Sequence, residues 1–157
     1  MRHCGFAMVI ALLAVFGAKA VAQEMPVPVP MQAALLKKIL SFDKALAGKG
    51  SISVVVMGGG GEIVSAFNGV GLAATSSSSV GGDVVYVGPG APAPKAATAK
   101  AGILSVSGVP SNAEKGLVSI ALDVEGGKPK IVVNLAQLKA EGHELSADLL
   151  KLAKVIQ

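Results

Sequence analysis

The chain has 157 residues, of which 52% are hydrophobic, 15% charged and only 3% aromatic, and its formal net charge at pH 7 is +4. This length and hydrophobic content suit a single domain with a modest core. The scarcity of aromatic residues argues against a sugar-stacking or base-stacking surface, and the weak lysine excess without a basic patch excludes a nucleic-acid partner.

Residues 1–22 have the three zones of a secretory signal peptide in the right order. Arg2 gives a positive start, and the apolar run 6–17 is too short to cross a bilayer. An A-x-A cleavage pattern then ends at Ala22, with a competing pattern ending two residues earlier. We expect cleavage between Ala22 and Gln23; the alternative is an uncleaved membrane anchor.

Cleavage at that point changes which chemistry is available to the mature chain. It removes Cys4, the only cysteine, so the mature chain can form no internal disulfide. The only arginine leaves as well, so the mature chain has no guanidinium group that could bind a phosphate through two hydrogen bonds. Because Arg2 and Lys19 are both lost, the formal charge falls to +2.

After the signal peptide, residues 23–30 contain Pro26, Pro28 and Pro30 alternating with valine, which predicts a stiff extended lead-in to one domain over residues 31–157. Apolar residues then recur with the spacing of one helix face. This predicts an amphipathic helix that ends near Gly48, where glycine favours a left-handed cap. The predicted face consists of Met31, Leu35, Ile39, Phe42 and Leu46.

The next segments predict a strand, a turn, a helix and a loop. The β-branched run 51–57 is typical of a strand covered on both faces. The glycines at 58–61 could cradle a phosphate, but neither Gly-rich nucleotide motif is present, so we favour a flexible turn over a nucleotide site. We predict a short helix over residues 62–72 and a mobile, serine-rich surface loop over residues 73–82.

The second half of the chain continues this alternation of strands and helices. Strands are predicted over residues 83–87 and 103–106, with an alanine-rich helix over residues 91–101 between them. Residues 116–124 and 130–135 flank a glycine-bearing turn and predict an antiparallel hairpin. Together these elements predict an α/β fold: a three-layer sandwich with a mainly parallel sheet, helices on both faces, and a C-terminal antiparallel hairpin followed by a helix.

The last helix carries its own start signals. The Ser146 hydroxyl can cap free N–H groups, Asp148 favours the positive end of the helix dipole, and Leu145 and Leu150 occupy hydrophobic staple positions. We predict that its apolar face continues to the end of the chain through Leu149, Leu152, Ala153 and Ile156.

Two groups of ionisable residues invite a chemical interpretation. His143 lies between Glu141 and Glu144, but neighbours on a loop seldom converge on one metal ion, so we favour a solvated loop. Asp123 and Glu125 could form an acid–base pair on one strand face, yet the adjacent turn favours a hydrated hairpin end. No histidine is partnered with a nucleophile, and we expect no catalytic, cofactor or metal site.

The C-terminal stretch IVVNLAQLKAEGHELSADLLKLAKVI resembles the signature of the YfiR-like family of exported bacterial proteins. Weaker similarity extends back through the hairpin, the DVVYVG strand and the helix beginning MQAALLKKIL. The chain departs from the family where SFDKALAG replaces an aromatic and Trp-Pro helix ending, and it lacks the cysteines of the best-known members. The matching positions are Asn134, Leu135, Gly142, Leu145, Ser146, Leu149, Leu150, Leu152 and Ala153.

We predict structural roles for these matching positions, with the Asn134 side chain bonding the following turn rather than contacting a ligand. The resemblance implies a periplasmic regulator without catalysis of its own. Such a protein binds and restrains the periplasmic part of an inner-membrane signalling protein, which in the best-known member is a diguanylate cyclase. The hypothetical contact region is the first helix with its neighbouring loops, because the chain departs from the family there.

Two alternatives stay open from the sequence. A small-solute-binding sensor module that feeds a membrane receptor or histidine kinase would have the same export signal and fold. A homodimer is as compatible with the sequence as a monomer. In either case we expect no cofactor, no metal and no nucleic acid as partner.

Overall fold

The computed structural model describes residues 25–157, so the predicted signal peptide and its cleavage site between Ala22 and Gln23 lie outside the described residues. Seven strands and six helices follow one another in this part of the chain. They are α1 (Val29–Leu40), β1 (Ser53–Met57), α2 (Gly60–Gly69), β2 (Ala73–Ser76), β3 (Val84–Val87), α3 (Lys95–Ala101), β4 (Leu104–Ser107), α4 (Pro110–Glu114), β5 (Ile120–Glu125), β6 (Lys128–Asn134), α5 (Leu135–Ala140), α6 (Ala147–Leu152) and β7 (Lys154–Ile156).

The strands form one sheet in the order β2-β1-β3-β4-β5-β6-β7. Every neighbouring pair is parallel except β5 and β6, which form an antiparallel hairpin. The hairpin is followed by helices, and apolar cores lie on both faces of the sheet. The predicted α/β fold with a mainly parallel sheet, a hairpin and a following helix is therefore confirmed. None of the described helices is long and apolar enough to cross a bilayer.

Strand β1 illustrates why a continuous apolar run suits this sheet. Val54 and Val56 point into the larger core, which also receives side chains from α1, α2 and α6. Val55 and Met57 point to the opposite face and pack with the second core. Because successive side chains of a strand face opposite sides, a strand covered on both faces has no polar alternation.

Helix α1 begins earlier and ends earlier than its sequence pattern predicts. It starts at Val29, so the extended lead-in is shorter than predicted, and Pro30 lies in the first turn, where the missing N–H costs no hydrogen bond. The helix ends at Leu40, and the predicted cap at Gly48 is wrong. Residues 41–42 and 44–48 form turns instead, and Asp43 makes an isolated β-bridge with Leu145.

The buried face of α1 is also rotated from the predicted one. Met31 is 43% exposed, although its spacing placed it on the apolar face. Gln32 is buried because its amide donates to the Val27 carbonyl at 2.7 Å and its oxygen accepts from the Tyr86 hydroxyl. The buried positions are Gln32, Ala33, Leu36, Ile39 and Leu40.

The glycines after β1 form a defined turn into α2. Gly58, Gly59 and Gly60 all have positive φ angles, and residues other than glycine rarely adopt this backbone region. A Cβ atom at Gly88 would lie 2.8 Å from the Gly58 backbone, so the turns after β1 and β3 approach each other closely. Helix α2 accordingly starts at Gly60, two residues before its predicted start.

The predicted mobile loop over residues 73–82 is wrong in its first part, because Ala73–Ser76 forms strand β2 at the edge of the sheet. It pairs with β1 from Ser53↔Ala73 to Val56↔Ser76. The Asn68 side chain further fixes this edge, accepting from the Ala74 N–H at 2.9 Å and donating to the Ala74 carbonyl at 3.2 Å.

The predicted continuation of the last helix is wrong as well. Helix α6 ends at Leu152, Ala153 has extended backbone angles, and Lys154–Ile156 forms strand β7. The register runs from Val132↔Lys154 to Asn134↔Ile156, so β7 satisfies backbone groups of β6 that would otherwise lie at the edge of the sheet.

Candidate functional site

A groove of about 520 Å³ lies between helix α1, the tip of the β5–β6 hairpin and helix α6. We call it the α1–hairpin groove. It includes part of the first helix, which the sequence marked as the hypothetical contact region. Its lining consists of Leu35, Lys38, Ile39, Phe42, Glu125, Lys128, Pro129, Lys130, Ile131, Asp148, Leu149 and Leu152.

The floor of the groove is apolar and rests on the main core. Ile39 and Leu149 are buried, while Leu35, Phe42 and Ile131 are half-buried and pack against that core. A floor built in this way is already formed before any partner arrives, as is typical of binding surfaces.

Leu152 differs from the other apolar residues of the groove, because it is 72% exposed. It lies at the C-terminal end of α6, one turn after the buried Leu149. Single exposed leucines are common on protein surfaces, but one that borders an apolar groove enlarges a continuous hydrophobic surface. The groove therefore ends on a hydrophobic side chain that is accessible to a partner.

Charged side chains surround this apolar floor. Lys130 pairs with Glu125 at 3.0 Å, and Asp148 pairs with Lys151 at 3.5 Å. The hydrogen bond from Lys130 holds the pKa of Glu125 below its usual range. Lys130 is half-buried and the other three side chains are exposed, and pairs at the surface contribute little to stability.

Below the surface, the carboxylate of Glu141 is fully buried in a polar network. It accepts from the Ser105 N–H at 2.9 Å, the Ser105 hydroxyl at 2.6 Å, the Ser119 hydroxyl, and the Gln137 amide at 2.9 Å. Ser105 is on β4, Ser119 directly precedes β5 and Gln137 is on α5. The network therefore joins two strands to the helix after the hairpin.

A second buried pair joins Asp43 and His143. The Nδ1 atom of His143 lies 2.9 Å from an Asp43 oxygen, and the other Asp43 oxygen accepts from the N–H groups of Ala45 and Leu46 at 2.8 and 3.1 Å. The hydrogen bond to Asp43 raises the pKa of His143 above its usual value, although burial of the ring acts to lower this pKa. The predicted solvated loop is thus wrong for Glu141 and His143, because long-range partners compensate for their burial.

Neither buried cluster has the arrangement of a catalytic centre. The second ring nitrogen of His143 lies 3.2 Å from the Gly102 carbonyl, so both nitrogens are engaged within the fold. The hydroxyls of Ser105 and Ser119 donate to the Glu141 carboxylate, and all three side chains are buried away from any substrate in solution. Within residues 25–157, no group of three or more His, Cys, Asp or Glu side chains could hold a metal ion.

The C-terminal motif mainly positions elements. Asn134 precedes α5, accepts from the Gln137 N–H at 3.0 Å and donates to the Ala113 carbonyl at 3.1 Å. Ser146 precedes α6 and accepts from the Leu149 N–H at 3.4 Å, while Gly142 has a φ of 74°. Of its apolar side chains, Leu145 and Leu149 are buried, Leu135, Leu150 and Ala153 are half-buried, and Leu152 is exposed.

A smaller cavity of about 330 Å³ lies beside the ends of β1 and β2, near the point in the sheet where the strand order reverses. In open α/β sheets, ligands often bind at such a switch point. Here the lining is Met57, Gly58, Ser76, Ser77, Ser78, Ala91 and Pro92, with no charged side chain among these residues. This cavity has no group that would hold a phosphate by charge.

The fold and the groove define the class of protein: a three-layer α/β domain with an apolar, lysine-bordered surface groove. A family model described as YfiR/HmsC-like matches residues 31–154, and the chain belongs to this family. Membership indicates a periplasmic regulator of signalling. A search of the curated proteins found no match.

Proposed function

We propose that this protein is a non-catalytic periplasmic regulator that binds the periplasmic part of an inner-membrane diguanylate cyclase and restrains it. The observation that carries the proposal is the family match over residues 31–154. The α1–hairpin groove supports it, because it gives the domain an accessible apolar surface on the element where a receptor contact was expected.

Restraint of this kind needs no active site. A receptor with two conformations shifts toward the one that a partner binds more tightly, and the ratio of the two affinities sets the largest possible shift. A rigid domain with one complementary surface is sufficient. The buried contact between Asp43 and His143 serves such a domain, because it joins the turn after α1 to the loop before α6, and both helices line the groove.

The proposal is tested by deleting the gene in its bacterium and measuring cyclic-di-GMP. We expect the level to rise on deletion and to fall again when the full chain is supplied. A chain lacking residues 1–22 is the matched control, since it should stay in the cytoplasm and leave the level high. An unchanged level after deletion would contradict the proposal.

A crosslinking experiment in intact cells tests the partner directly. We expect the full chain to crosslink to a diguanylate cyclase that has a periplasmic domain. Recovery of only soluble periplasmic proteins would contradict a receptor-binding regulator.

A further inference from the structure

We propose that the α1–hairpin groove binds an amphipathic helical segment of the receptor, with the apolar face of that segment in the groove and its acidic residues beside Lys38 and Lys128. The inference rests on the proposed function, because it takes the receptor as the partner. It adds the surface that is used and the chemistry that this surface recognises.

The charges around the groove favour an acidic partner. Both acidic residues of the lining already pair with lysines, Glu125 with Lys130 and Asp148 with Lys151. The exposed ammonium groups of Lys38 and Lys128 have no ion-pair or hydrogen-bond partner among residues 25–157. The charge left unpaired at the groove is therefore positive, and a partner with carboxylates beside its apolar face would complement it.

The position of the apolar residues favours a helix. Side chains from α1, α6 and the hairpin form the apolar floor, and the exposed Leu152 borders it. An amphipathic helix lays apolar residues from successive turns into such a groove. Binding would remove Leu152 from water, which favours association.

A second copy of this chain fits the groove less well. In a two-fold symmetric interface the same surface meets itself, which would bring Lys38 and Lys128 of both copies together. A small polar solute also fits less well. The described lining has no serine, threonine, asparagine or glutamine side chain to orient it.

The test uses the exported protein and two synthetic helical peptides with the same leucine–alanine apolar face. The polar positions are all glutamate in one peptide and all lysine in the other. By calorimetry at low salt, we expect the glutamate peptide to bind about tenfold more tightly. The double variant K38E/K128E should reverse this preference, and Leu152→Ser should weaken binding of the glutamate peptide.

The matched control is the double variant K100E/K115E, which makes the same change in net charge at exposed lysines outside the groove. It should keep the preference for the glutamate peptide. The inference is overturned if neither peptide binds, if K38E/K128E keeps the wild-type preference, or if the control pair changes the preference equally. Binding to phosphatidylglycerol vesicles but to neither peptide would also overturn it, in favour of a lipid-binding surface.

A complementation assay separates this inference from the proposed function. The triple variant K38E/K128E/L152S should be exported and folded but fail to lower cyclic-di-GMP in the deletion strain. If the triple variant lowers cyclic-di-GMP as the wild type does, the groove is not the binding surface, but the proposed regulatory function is not contradicted. If the wild type itself has no effect, the proposed function falls regardless of the peptide results.

Discussion

At the scale of single residues, Glu141 depends on hydrogen bonds from four donors. A carboxylate away from water is costly unless it is fully hydrogen-bonded, and here Ser105, Ser119 and Gln137 supply the bonds. The same donors depend on Glu141. Its removal would leave several of them buried without a partner.

We therefore expect Glu141→Ala to lower the free energy of unfolding by about 3–5 kcal/mol. Urea unfolding measures this change. The control is Glu144→Ala, which removes an exposed carboxylate paired with Lys44 and should cost less than about 1 kcal/mol. Equal stability of the two variants would contradict a structural role for the Glu141 network.

His143 predicts a pH dependence of stability. The hydrogen bond to Asp43 raises the pKa of His143 above its unfolded value of about 6.5. The charged histidine therefore stabilises the fold fully below about pH 6.5, and this contribution is lost as the pH rises through the folded-state pKa.

The variant His143→Gln tests this dependence. The free energy of unfolding of the wild type should exceed that of the variant most at about pH 6, and the difference should narrow toward about pH 9. Urea titrations across this pH range measure the difference in free energy of unfolding. The contributions of titratable groups common to both proteins cancel in this difference. A difference that does not change with pH would refute the charged pair.

At the scale of elements, the short helices α5 and α6 depend on the side chains that precede them. Asn134 both caps α5 and bonds the Ala113 carbonyl, and it is buried, whereas Ser146 makes one longer capping bond to α6. The bond to Ala113 links the start of α5 to α4, so Asn134 fixes tertiary as well as local structure.

We expect Asn134→Ala to destabilise the protein by about 2 kcal/mol and Ser146→Ala by about 1 kcal/mol or less. Thermal or urea unfolding measures the loss of stability of each variant and so ranks the two substitutions. Asn134→Asp keeps the capping oxygen but places a carboxylate oxygen against the Ala113 carbonyl in a buried site, so it should destabilise the protein at least as much as Asn134→Ala. A larger loss for Ser146→Ala would contradict this ranking.

At the scale of the whole molecule, β7 is the three-residue edge strand at one end of the sheet and covers the edge of the longer β6 from Val132 to Asn134. Deletion of residues 154–157 would leave the β6 backbone open at the sheet edge, and open edges pair with other chains. We expect this variant to self-associate more strongly than the intact protein in light scattering over a range of concentrations.

The control for that deletion is Lys154→Ala, which loses only the ion pair with Glu114 and keeps the strand. It should behave like the intact protein. If the deletion variant associates no more strongly than this control, β7 does not protect the edge of the sheet.

The sequence by itself determined the features that depend on neighbouring residues. The apolar run of β1, the glycine turn of the hairpin and the Ser146 start of α6 are local signals, because the backbone angles of a few consecutive residues produce them. From their alternation the α/β class followed, and the C-terminal motif indicated the family.

Only the tertiary structure decided the burial of polar residues and the position of the groove. Asp43 and His143 are 100 residues apart in the chain, and Ser105 and Glu141 are 36 apart, so local spacing could not pair them. Strands β2 and β7 form because a neighbouring strand offers its edge, not because of their own composition. The α1–hairpin groove likewise exists only once α1, the hairpin and α6 are packed together.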